Sequence, residues 1–142
     1  MTSDDVRKVF RRILTREAGP GARASATAAA TSRVCERFTH QLTPLIGDAG
    51  VTAICGRSLH LAQRQFPELA SVRHLDQGVG QFALLQSFLE QQEPAAATEI
   101  AVAVIATASE LLASFIGESL TTRLLSEAWP DDFAADTTEE TT

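Results

Sequence analysis

The side chains able to do chemistry in this 142-residue chain fall into three small groups. Glu36 and His40 stand four residues apart beside Cys35, a spacing that puts a carboxylate and an imidazole on one helix face and offers a metal ion two ligands. A di-iron bundle takes Glu-x-x-His at i and i+3 from each of two helices, and the sequence has no such pair. An exposed Glu–His ion pair is therefore the expected role, with no metal and no cofactor. Arg57, His60 and Arg64 form the second group, on one face of another helix, where two guanidinium groups would steady a phosphoryl group on the imidazole. The residues that follow His60 are Leu61, Ala62, Gln63 and Arg64, not the small residues and Lys typical after a phosphotransfer histidine. A solvated face is expected there too.

Glu110 is the third candidate, a carboxylate in the middle of the most apolar stretch. With Thr107, Ser114 and Glu118 it would line a ligand pocket, or else lie on a single wet stripe, which is the expected arrangement. Gly78-Val79-Gly80 lacks the preceding strand, third Gly and Lys-Ser/Thr ending of a phosphate loop and reads as a helix cap and turn. No G-x-S-x-G, H-E-x-x-H or C-x-x-C occurs. Cys35 and Cys55 are the only cysteines and fall on core-facing positions, as expected of free, inert thiols in a reducing cytoplasm.

The stretch that must position the rest is Ile100 to Ile116, inside a pattern running from Pro94 to Trp129. Its periodicity predicts one helix about 50 Å long at about 1.5 Å per residue, with Gly117 the weak point at which it would kink or break. Glu99, Ala103, Thr107, Glu110, Ser114, Gly117 and Thr121 recur at steps of three and four as a narrow polar or small stripe. Val104, Ile105, Ala108, Leu111, Leu112, Phe115 and Ile116 lie on the wider apolar surface, which requires burial on most sides. Glu110 within it and the lack of a basic flank argue against a membrane span. A 50 Å helix would outrun a small bundle, so a homodimer is expected, with Val104, Leu111, Leu112, Phe115 and Ile116 as interface candidates.

Ahead of that stretch, residues 3 to 17 form an amphipathic helix with Val6, Val9, Phe10 and Ile13 on one side and Arg7, Lys8, Arg11, Arg12 and Arg16 on the other. Gly19, Pro20 and Gly21 stop it. A second helix carries Val34, Phe38, Leu42 and Leu45 and is expected to end near Thr43 because of Pro44. A third starts at Gly47 or Asp48 and runs to Phe66, and a fourth carries Val79, Phe82, Leu85 and Leu89. A connection with a turn of helix, or a short strand around Ser71 to Leu75, is expected between them. Residues 131 to 142 read as a disordered acidic tail with Phe133 the only anchor.

The net charge of −6 argues against a nucleic-acid binder, yet residues 1 to 37 hold eight basic and four acidic groups, and the remainder four and fourteen. Mutual neutralisation of a basic front and an acidic back is expected. One internal parallel stands out: Leu45-Ile46-Gly47-Asp48 and, seventy residues later, Phe115-Ile116-Gly117-Glu118. A duplication would make two similar halves with a Gly-acid joint in each, but so few positions match that coincidence is the expected explanation.

The sequence thus predicts an all-α protein, a single helical bundle of about five helices over residues 1–130 with a long C-terminal central helix. It has the look of a bacterial, cytoplasmic helical protein, and no family motif maps onto it residue by residue. The expected function is a non-enzymatic helical interaction or regulatory module acting as a homodimer, with a further protein partner, no nucleic acid and no membrane span. The alternatives are a small-molecule-sensing or histidine phosphotransfer signalling domain, and a metal-dependent helical-bundle enzyme.

Overall fold

A computed structural model of the chain describes residues 3–70 and 81–133. The described residues form an all-α bundle without strands. Its elements are α1 (Ser3–Ala18), α2 (Ala24–Ala62), a 3-10 turn (Pro67–Leu69), α3 (Gln81–Glu90), α4 (Pro94–Ile116) and α5 (Glu118–Ala128). The segment where a strand was weighed, Ser71 to Leu75, and Gly78-Val79-Gly80 lie outside the described residues.

Helix α1 has Asp4 and Asp5 in its first turn and Arg16 in its last, which suits the helix dipole at both ends. Val9, Phe10, Ile13 and Leu14 are its buried stripe. Gly19 ends it at φ 89°, with its N–H donating to the Thr15 carbonyl at 3.0 Å. The Ala-rich start of α2 is packed: Ala24, Thr27, Ala28, Ala30 and Thr31 are all buried. Small side chains there let neighbouring backbones approach closely.

Pro44 does not end that helix, contrary to expectation. The helical turn continues to Ile46, and the Thr43 hydroxyl donates to the Thr39 carbonyl at 2.7 Å within the turn that the proline enters. The true break is Gly47, at φ 77° and ψ 168°, which divides α2 into a first arm, 24–46, and a second arm, 48–62. These arms fold towards each other. Cys35 and Cys55 would stand about 30 Å apart on a straight helix, yet both are buried in the one hydrophobic core.

The helix of about 50 Å expected from Pro94 to Trp129 is broken at Gly117, the residue named as its weak point, with φ 94° and ψ 156°. Only glycine takes this backbone conformation without strain, because a Cβ would meet its own flanking peptide groups. Helix α4 starts beside the start of α2, since Thr27, Pro94, Ala95 and Thr98 line one hollow of ≈ 220 Å³ with the turn after α1. The two run parallel. Helix α5 then returns antiparallel: Gln41 Nε2 donates to the Leu124 carbonyl at 3.3 Å, and Arg37 Nη1, one turn earlier, to the Ala128 carbonyl at 3.4 Å. The length argument for a dimer falls with the long helix.

The internal parallel dismissed from sequence acquires a physical content here. The first arm of α2 and helix α4 are each 23 residues long, and each ends in Ile-Gly-acid with the glycine at positive φ. Residues 42–56 and 112–126 repeat the same order of buried, half-buried and exposed positions throughout. The short helices exchange partners: α1 packs chiefly on α4, and α3 chiefly on α2.

The expected tail boundary at Asp131 also moves. The chain turns helical again over 130–133, and Asp132 and Phe133 are buried. Trp129 and Phe133 both meet the Phe10 ring edge-on, with centroids 5.4 and 5.7 Å away.

Two substitutions test this reading. Gly47→Ala meets open space, with nothing within 4 Å of the added Cβ, so its cost is conformational and is expected at about 1–3 kcal/mol; an unchanged denaturation midpoint would show that the joint is not held as described. Phe133→Ala empties a fully buried site and is expected to cost about 3–5 kcal/mol in the same measurement, against almost nothing for a residue in a tail.

Candidate functional site

The basic face of α1 is turned onto the acidic back of the chain. Arg11 donates to both oxygens of Glu99, from Nε at 3.0 Å and from Nη2 at 2.7 Å. Arg16 grips Asp132 in a two-pronged pair, at 2.8 and 3.0 Å, and Arg12 Nη2 reaches the Asp132 carbonyl at 3.3 Å. Asp132 is almost wholly buried while both guanidinium groups stay half exposed, so the cations remain solvated and only the carboxylate is removed from water. Within the front half, Arg33 pairs with Glu17 at 3.1 Å. The charge asymmetry of the sequence is thus spent largely inside the fold.

Hydrogen bonding from Arg11 lowers the Glu99 carboxyl below its ordinary range, and the same bond raises Arg11. The stability carried by this pair is complete above the unfolded glutamate's pKa and is lost as pH falls through the depressed folded value. Both groups are substantially exposed, which keeps the contribution to about 0–1 kcal/mol.

The structure does not assemble the sequence candidates into a catalytic set. Glu36 and His40 are both exposed, and among the described residues no group of three His, Cys, Asp or Glu is placed to hold a metal ion. Arg57 and Arg64 are exposed, whereas His60 is half-buried, with Nδ1 shielded from solvent and without a hydrogen-bond partner among the described residues. Burial raises the Cys35 thiol strongly and pushes Cys55 up to about 11, so both stay protonated and poorly nucleophilic near neutrality. Thr107 and Glu110 are half-buried, and Ser114 and Glu118 exposed. The wet stripe is interrupted: Ala103 and Thr121 are buried, because α4 is enclosed along its first half and α5 folds back.

The interface candidates separate in the same way. Val104 and Leu112 belong to the core of the single chain, since that part of α4 is surrounded by α1 and α2. Leu111 and Ile116 are half-buried, and Phe115 is 70% exposed. The only other large hydrophobic residue so displayed among the described residues is Leu45, at 47%. Leu45 and Phe115 occupy equivalent positions, each two residues before a joint glycine. The arms they end are parallel and equal in length, which brings both joints to one end of the bundle. That end displays Leu45 and Phe115, with Ile46 and Ile116 half-buried against the core, and carries the exposed Asp48 and Glu118. Sequence reasoning included Phe115 and Ile116 but missed Leu45 and Ile46, although the repeated Ile-Gly-acid segment paired them.

Helix α4 is also long and apolar enough to cross a membrane by length and composition, and 56% of its most apolar window is buried inside the fold. No protein-family model matches the chain, and neither a curated protein nor a solved structure does.

The thiols give a direct check on this assignment. A thiol-specific chromogenic reagent at mildly alkaline pH is expected to leave Cys35 and Cys55 unmodified in the native protein and to titrate both in denaturant. Rapid labelling of either one in native protein would place it at an accessible site instead.

Proposed function

We propose that the protein is a non-enzymatic helical interaction module that works as a homodimer, with the joint end of the bundle as its contact surface. The observation that carries this reading is the display of Phe115 and Leu45 at one end. Large side chains left this open in a small domain, with half-buried Ile46 and Ile116 beside them, form a patch of the kind that marks association. The rim is polar and acidic, through Asp48 and Glu118, as expected around an apolar contact. The dispersed Glu36, His40 and His60 supply no comparable convergence for a metal enzyme or a phosphotransfer domain.

Under this reading the wild-type protein sediments as a dimer at micromolar concentration, and Phe115→Ser weakens dimerisation at least about tenfold, the effect of losing roughly 1.4 kcal/mol at a contact. Its monomer stability changes little, since the side chain is already in water. Sedimentation equilibrium decides the matter: a wild-type protein that stays monomeric, or a Phe115→Ser dimer of unchanged affinity, contradicts the proposal.

A further inference from the structure

The joint at Gly117 is a single residue, and everything beyond it up to Phe133 packs back on the body as one arm. Thr121, Leu125, Trp129, Asp132 and Phe133 are the arm's buried residues. Its anchors on the body are Phe10, Arg12 and Arg16 of α1 and Arg37 and Gln41 of α2. No side chain caps the start of α5; the Thr121 hydroxyl donates to the Gly117 carbonyl at 2.8 Å within α5, a bond that a continuous helix keeps. If Gly117 adopts helical angles, α4 and α5 merge into one helix, and the arm is carried out along the bundle axis instead of back over it. Short hinges of this kind are where identical chains exchange elements.

The area at the joint end argues for such an exchange. Four partly exposed side chains fall well short of the roughly 800 Å² per partner of a stable interface. The contacts that hold the arm are already extensive, and a second copy offers the same surface. Resting on the homodimer reading above, we propose that two copies associate by exchanging the arm formed by residues 118–133, with Gly117 opening into a helical link. Phe115 and Leu45, open to solvent in the closed chain, lie at the crossing of the two links and are covered there by the second copy.

The test uses the contact between Arg16 and Asp132. In an Arg16→Lys variant, a zero-length carbodiimide joins the new amine to the carboxylate it touches, and peptide mass spectrometry identifies the 16–132 link. The dimer fraction from gel filtration is expected to yield that link between chains, running at twice the chain mass on a denaturing gel, while the monomer fraction yields it within one chain. A dimer linked only within chains overturns the exchange but leaves the homodimer reading standing. A protein with no dimer fraction overturns both. Gly117→Ala is an independent probe, because it strains only the closed form: the ratio of dimer to monomer is expected to rise about tenfold or more at fixed concentration. A folded variant with an unchanged ratio contradicts the proposed hinge.

Discussion

Two glycines at positive φ set the architecture. The apolar periodicity of the chain runs on through positions 47 and 117 and does not by itself dictate a reversal at either. Gly47 and Gly117 take an extended ψ with φ of 77° and 94°, and each returns the chain along its own arm. From this follow the parallel pairing of the two long arms, the burial of α4 at their centre, and the meeting of both turns at one end. A helix that would have needed a second subunit to cover it is covered by its own continuation.

The turned-back arm is held by two kinds of contact with different tolerances. The ring cluster of Phe10, Trp129 and Phe133 depends on shape and excludes water, so it is costly to truncate. The arginine pairs of α1 are open to solvent on the cationic side and are individually worth less. Asp132 is the exception among the acids, since burying its carboxylate is tolerable only while Arg16, supported by Arg12, donates to it. Packing therefore supplies the strength, and the ion pairs fix the register of α1 against the rest.

Much of the fold was legible in the sequence because it depends on local signals. Apolar spacing located α1, the arms of α2, and α4, and the charge imbalance anticipated that Arg11 and Arg16 would meet acids from the far end of the chain. The misreadings have separable causes. Pro44 was given the weight of a helix stop, whereas a proline in a last turn removes one donor and leaves the next residues free to complete it. At Gly117 the sequence shows the weak point but not the reversal, because the dihedral angles that decide between kink and reversal are not written in composition. Asp132 reads as part of a polar tail and Phe133 as no more than its anchor; only the tertiary position of Phe10 and Arg16 makes both of them core. The candidate surface was half visible, through Phe115 and Ile116. Its other half, Leu45 and Ile46, required knowing that two segments seventy residues apart end side by side.

The measurement that bears most directly on the joint end as a contact surface is hydroxyl-radical footprinting of the wild-type protein across a dilution series that spans association. Phe115 and Leu45 are expected to be readily oxidised in the dilute protein and to become protected together as the dimer forms, while exposed residues at the opposite end, around Pro20 and Pro94, keep a constant rate. Association that leaves Phe115 as reactive as it is in dilute solution would contradict the account.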